Sequence, residues 1–486
     1  MIVMVLIIEQ CLILHFCRLH IRVMRKLILL SLITLLSALY QRLEAQGYQI
    51  EIHLESNTDT IYYLANYYGD KFFIADTSNS QIGTAVFTGS TPLKQGIYLI
   101  ANKKKEKLIE FLVGESQNFS IHAGKINADQ NIEIHGSVDN QLFFDHIRFV
   151  NKAYVQIQEN NAVMNQPESG NETKTLLQHK NDSINTAIVK FRNTIIRENP
   201  ELLISLILSA MQDPEIPAAI KENQDASYRF YKSHFWSNIR LNDERLLRTP
   251  LLPMKLKTYF EQLVVPDADS IISEINVLIA RTNKNQEVTD FLAWHFVSEY
   301  QTPKIMGLDK VFVYLVDNYF QKGKIQNVTE SINEKLLERA NKMRLSLLGM
   351  KAPEMWLIDT TGNYRSFHEI KNEYTVLIFW DQTCSHCKKE MESLYQLYNT
   401  GEFNLGVFAV NSTNDFEGWK HYLKEKKYPW LHVNGMKSMT QDFHDLYDIY
   451  SVPVVYLLDR NKVIIGKRIS AGQIGNIIKN YQKADQ

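Results

Sequence analysis

Three stretches with different spacing of apolar and polar positions follow one another along the chain. From residue 47 to 142, short apolar runs such as Ile50 to Leu54, Ile61 to Leu64, Ile97 to Ile100 and Ile109 to Val113 alternate with turn-forming clusters, among them Gly69-Asp70 and Gly89-Ser90. Runs of that length between such clusters predict strands, and hence a small β-rich domain. From residue 143 to 345 the apolar positions take helical spacing, as in Ile184, Ile188, Phe191 and Ile195 or Leu202, Leu206 and Met211. That spacing predicts an α-helical middle domain. Its polar stretch Asn160 to Thr175, with Pro167 and Gly170, reads as an exposed loop, and a charged helix over Val328 to Lys342 leads into the last part.

Residues 346 to 486 alternate between strand and helix. The continuous apolar run Thr375 to Trp380 suits a strand buried on both faces. Met391, Leu394, Tyr395 and Tyr398 then repeat at i, i+3, i+4 and i+7, which predicts an amphipathic helix. A strand over Leu405 to Val410, a helix over Phe416 to Lys424, a short strand near Trp430 to Val433 and a helix around Met439 to Tyr447 follow. After Val452-Pro453 come strands at Val454 to Leu458 and Val463 to Ile465 and a short C-terminal helix. The order predicts an α/β sheet domain, so the fold class is multidomain: β-rich, then α-helical, then α/β.

Composition narrows the function. Lys plus Arg total 53 and Asp plus Glu 54, for a net charge of -1, so no basic surplus exists to neutralise a nucleic-acid backbone. Residues 1 to 46 hold two apolar stretches. From Met24, a basic start, an apolar run over Leu27 to Leu39 and a polar stretch ending at Ala45 have the layout of a secretory signal with Met24 as the true start. The alternative is an N-terminal membrane anchor. Four cysteines are too few for a disulfide-stapled scaffold of this length. Cys11 and Cys17 lie before Met24, and Cys384 and Cys387 form a Cys-x-x-Cys pair.

The pair sits between the Trp380 strand end and the amphipathic helix. There the helix dipole favours the thiolate of Cys384, the nucleophile of disulfide exchange. Three residues of spacing bring Cys387 within reach of a mixed disulfide on Cys384. His386 between them is placed to add positive charge or a hydrogen-bond donor. Tetrahedral zinc would need two further ligands, and no other cysteine follows the signal, so no metal is expected. A peroxidatic cysteine would need Pro and Thr where Leu377 and Asp381 stand.

On these residues the region from about Gly349 to Lys483 resembles the TlpA/ResA-like branch of thioredoxin-fold thiol:disulfide oxidoreductases. The matches are Gly349-x-x-Ala352-Pro353, Asp359-x-x-Gly362, Phe379-Trp380, the Cys-x-x-Cys, Glu390, Val452-Pro453 and Leu458-Asp459. The resemblance implies a cis proline at Pro453 facing the cysteines, with Val452, Ser385 and His386 completing a groove for substrate, and Glu390 helping to move the resolving proton. Three positions depart from the pattern: Thr383 replaces an aromatic residue, Ile378 a buried Asp, and Glu392 a helix-kinking Pro. Upstream, Ile61 to Leu99 and the runs Tyr231 to Trp236, Asp243 to Pro250 and Met306 to Val313 resemble β-rich and helical domains of unknown function that precede many exported thioredoxin-like proteins of Bacteroidota. Within them His234, Asp243, Arg245 and Asp309 are site candidates or, equally, buried polar groups that fix helix packing.

The expectation is an exported enzyme of the periplasm or cell envelope in which Cys384 attacks and Cys387 resolves. It would need no cofactor beyond the redox-active disulfide Cys384-Cys387. Its partners would be protein thiols or disulfides of the envelope and a redox partner the sequence does not identify. The alternative is an envelope binding protein whose thioredoxin-like domain is a structural or redox-sensing module.

Overall fold

The computed structural model describes residues 47–55, 59–79, 83–124 and 132–484. The proposed signal or anchor at residues 1 to 46 lies outside them. Among the described residues no helix is long and apolar enough to cross a membrane. The chain divides into two compact units, one of residues up to Arg240 with Arg245–Met254, the other of Leu241–Glu244 with Lys255 onward.

The first unit opens with eight strands: β1 (Tyr48–Leu54), β2 (Ile61–Tyr68), β3 (Lys71–Asn79), β4 (Thr84–Gly89), β5 (Gly96–Asn102), β6 (Lys107–Val113), β7 (Asn118–Ala123) and β8 (Ile132–His135). They form two four-stranded sheets, ordered β4-β1-β7-β8 and β3-β2-β5-β6. Alternate residues of each, such as Ile50 and Ile52 of β1, Tyr62 and Leu64 of β2 and Phe119 and Ile121 of β7, share one core. That is the period-2 burial of half-covered strands in β1 and β7, whereas the other face of the second sheet carries a further buried cluster of Ala65, Tyr67, Leu99 and Ala101. Helix α1 (Val138–Met164) follows, its first turn capped by Ser137. Its Asn140 carboxamide accepts the N–H of Leu112 at 2.7 Å and donates to the Leu112 carbonyl at 2.8 Å, pairing with β6 as a further strand would. Helices α2 (Asn171–Glu198), α3 (Leu203–Ala210) and α4 (Gln224–His234) complete the helical part of this unit.

Two expectations change here. The first long helix begins at Val138, ahead of residue 143, and continues through Asn160 to Met164; only residues 165–170 link it to α2. The polar stretch taken as loop is largely a helix pair, because Asn160, Asn161 and Asn181 bond to one another between α1 and α2. Polar composition describes an exposed helix face as well as a loop.

The chain passes into the second unit within α5 (Leu251–Gln262). There follow α6 (Ala268–Arg281), α7 (Gln286–Tyr300), α8 (Asp309–Leu315), which runs on into a π-helical turn to Phe320, and α9 (Glu330–Leu345). The rest is a seven-stranded sheet ordered β10-β9-β13-β12-β11-β14-β15, in which β11 is Tyr374–Trp380, β12 is Leu405–Asn411, β14 is Val454–Leu458 and β15 is Ile464–Lys467. β9 (Leu357–Asp359) and β10 (Tyr364–Arg365) form the first hairpin, turning through Gly362 at φ +94°, a conformation that favours glycine. Every residue of β11 is buried, as its continuous apolar run predicts. Val376, Ile378 and Trp380 pack into one core with α10 (Ser385–Thr400), α11 (Phe416–Lys426) and α13 (Ala471–Ala484), while Leu377 and Phe379 pack into the core on the other face. The helix expected over Met439 to Tyr447 is a single turn, α12 (Phe443–Leu446). The preceding strand β13 instead runs from Leu431 to Ser438, where Ser438 and Thr440 bond to each other in the turn.

Candidate functional site

Strand β11 ends at Trp380, and the next four residues turn the chain into α10. Asp381 sets the turn: its Oδ1 accepts the Thr383 N–H at 2.6 Å and the Thr383 hydroxyl at 2.7 Å, and its carbonyl accepts the Cys384 N–H at 3.2 Å. Such a side-chain-to-backbone turn leaves the next residue free to cap a helix. Gln382 is buried and holds the turn from below, accepting from the Asn411 carboxamide at 2.8 Å. Asn411 in turn receives Asn434 at 3.2 Å, so the end of β12 and the middle of β13 fasten the turn. The sequence reading missed Asp381 as a turn former and the Gln382-Asn411-Asn434 chain altogether. Their only signal was a run of polar residues just past apolar strands.

Cys384 is the N-cap of α10, and its Sγ receives the Cys387 N–H at 3.3 Å. Both thiols are free, Cys384 partly exposed and Cys387 fully buried. Their acidities are driven apart. The hydrogen bond from the Cys387 thiol is the largest influence lowering the Cys384 pKa, helped by the backbone N–H groups of Cys387 and His386 and opposed by burial and the Asp381 charge. Burial is the largest influence raising that of Cys387, with the thiol hydrogen bond to Cys384 next. A helix start that offers N–H groups to one sulfur and apolar surroundings to the other yields one nucleophile and one protected thiol. His386 contributes through its backbone N–H, whereas the sequence had suggested its imidazole.

Facing the thiols is the Val452-Pro453 bond, which is cis, as the motif implied. The Val452 carbonyl lies 3.9 Å from Cys384 Sγ. Ser385 and His386 are exposed beside them. Glu390 stands one turn beyond Cys387, and its Oε1 accepts the N–H of Ala471, the first residue of α13. Trp380 is fully buried at the strand end. Helix α10 runs unbroken past Glu392 to Gly401, whose φ of +62° ends it.

His234 is exposed, stacks on Phe230 with ring centroids 4.0 Å apart and bonds to that residue's carbonyl. Arg245 donates to the Glu201 carbonyl at 3.0 Å. Asp309 forms an ion pair with Lys467 at 2.5 Å, both buried. Among the described residues no group of three His, Cys, Asp or Glu side chains is placed to hold a metal ion.

Comparison with known proteins places these parts. Residues 348–467 match the AhpC/TSA family, 48–143 a domain of unknown function (DUF4369) and 156–343 another (DUF5106). Over 133 residues the chain is 24% identical to the thiol-disulfide oxidoreductase ResA of Bacillus cereus, a match covering 27% of this chain and 73% of that protein. Among solved structures, a domain of a possible thiol-disulfide isomerase from Cytophaga hutchinsonii is 40% identical, covering 28% of this chain and 95% of that one, with a TM-score of 0.26. A thioredoxin-like protein from Bacteroides caccae is 18% identical, covering 55% and 98% respectively, with a TM-score of 0.43.

Proposed function

From a chain whose C-terminal domain has a thioredoxin-like AhpC/TSA fold and is similar to the thiol-disulfide oxidoreductase ResA of Bacillus cereus, we propose an exported thiol:disulfide oxidoreductase of the TlpA/ResA type. The observation that carries this reading is the division of labour between the two sulfurs: Cys384 caps α10 with its acidity raised, and Cys387 is buried with its acidity lowered. The Cys384 thiolate attacks one sulfur of a partner disulfide, forming a mixed disulfide and expelling the other partner sulfur as thiolate. Cys387 then loses its proton and attacks Cys384 Sγ. The Cys384-Cys387 disulfide forms, the second partner thiol leaves, and two electrons have passed to the partner. Run backwards, the same steps oxidise a partner dithiol.

The cis Val452-Pro453 segment offers the Val452 carbonyl beside Cys384, where an extended partner segment carrying the target cysteine can pair with it. Ser385 and His386 line the approach. Glu390, three residues after Cys387 and so on the same helix face, is the carboxylate assigned to take the resolving proton through water while it holds the start of α13. The layout of residues 24 to 45 supports export to the periplasm or cell envelope, where the partners would be protein thiols and disulfides.

The test is capture. A Cys387→Ser chain should accumulate partner proteins joined through Cys384, released by dithiothreitol, while a Cys384→Ser chain should capture none. Equal capture by both variants, or by neither, would overturn the reading.

A further inference from the structure

The loop that brings Val452 and Pro453 to Cys384 starts at Asp448, which lies between the buried Tyr447 and Ile449 and makes a set of charged contacts of its own. Asp448 is 1% exposed and sits at φ +51°, a conformation uncommon for a residue with a side chain. Its Oδ2 accepts from the Arg468 guanidinium at 3.0 Å, and Arg468, itself at φ +53°, also donates to the Asp448 carbonyl. From helix α9 the Arg339 guanidinium lies 3.9 Å from the same Oδ2 and over the Tyr450 ring at 5.1 Å. Arg339 is anchored by donating to the Gln301 carbonyl at 3.2 Å. Next to Arg468, Lys467 pairs with Asp309 at the start of α8, and its backbone N–H donates to Met306 Sδ at 3.2 Å. Between these groups is a cavity of about 270 Å³ lined by residues 301–307 together with Asp309, Arg339, Asp448 and Lys467.

Both segments that meet this charged cluster continue to the thiols. Four residues after Asp448 comes the Val452 carbonyl, and three after Arg468 comes Ala471, held by Glu390 one turn beyond Cys387. We propose that Arg339 is a positioning residue: through Asp448 and Tyr450 it holds the Asp448–Pro453 loop in register with Cys384, so that the helical segment governs how well a protein partner docks at the redox centre. The cavity is what makes this dependence strong. Where side chains interlock, a loop keeps its place when one contact goes, but beside open volume a lost contact is not replaced, and without Arg339 the buried Asp448 carboxylate keeps only the Arg468 guanidinium. Tyr450, 62% exposed in mid-loop, moves with it and carries the effect to the docking surface.

The role of the loop in partner binding rests on the reading given above; the positioning of the loop does not, and the two are measured separately. Hydrogen exchange of the full chain reads the position. Arg339→Met should speed amide exchange across residues 448–452 at least tenfold and leave β11 and α10 unchanged, with Arg339→Lys in between. Unchanged exchange over that loop, or equal acceleration throughout the second unit, would overturn the proposal. Kinetics read the consequence. Arg339→Met should lower kcat/KM for insulin disulfides about tenfold while altering the reaction with a small aromatic disulfide, which needs only Cys384, less than twofold. Parallel losses on both substrates would refute positioning, whereas a wild-type chain inert toward every disulfide would refute the oxidoreductase reading and leave the exchange result to decide the loop.

Discussion

Hydrogen bonds at a helix start and burial beneath it set which of two identical side chains reacts. Cys384 receives the Cys387 N–H, and Cys387 lies wholly inside the core with Met391 and Leu394. Alkylation of the reduced chain should therefore modify Cys384 first, with a half-maximal rate at a pH below that of an ordinary thiol (about 8.5), while Cys387 stays unmodified until the chain unfolds. Mass mapping of iodoacetamide adducts between pH 5 and 9 checks this; simultaneous modification of both sulfurs would contradict it. This much was legible in the sequence, because two cysteines three apart at the head of an amphipathic helix are local information. Asp381 and the Asp448-Arg468 pair were not. Their meaning comes from partners brought together by folding, and no periodicity announces them.

The elements were legible where their pattern had one physical explanation. The unbroken apolar run of β11 fits only a strand covered on both faces, and α10 shows its stripe plainly. Asn160 to Thr175 held only over residues 165–170, because exposed helix and loop share a composition, and Met439 to Tyr447 failed because Ser438 and Thr440 close a turn with their own side chains. Two element-scale predictions follow from the polar anchors. Asn411→Ala should leave Gln382 Oε1 and the Thr413 N–H unpaired and cost about 1–3 kcal/mol in denaturant unfolding. Glu390→Gln should loosen the start of α13, costing about 0.5–1 kcal/mol as an acidic group at a helix N-terminus is lost. If Glu390 also takes the resolving proton, stopped-flow fluorescence should show a slowed second step and an unchanged first one.

At the scale of the whole molecule, each unit contains a histidine that burial keeps neutral. His146 in the first is shifted to about 4, by burial first and by Arg192 second. His432 in the second is shifted to about 4 by burial, its Nδ1 enclosed without a partner. Between pH 6.5 and 4 the unfolded chain binds protons at these positions that the folded chain refuses, so stability falls as pH falls through that window and is complete above it. Melting curves should thus drop between pH 7 and 5, and His432→Gln should flatten the transition of the second unit; a melting temperature constant over that range would contradict the assignment. The three-part architecture was read correctly because strand, helical and alternating patterns occupy separate stretches of chain.

The central claim is that Cys384 and Cys387 form a working two-electron couple, and their reduction potential tests it most directly. The full chain would be equilibrated in glutathione or dithiothreitol buffers and the thiols counted by alkylation. The account predicts a reversible couple fitted by two electrons, between roughly -270 and -120 mV, that disappears in Cys384→Ser. A pair that stays dithiol in every buffer, or one that oxidises without returning, would contradict it.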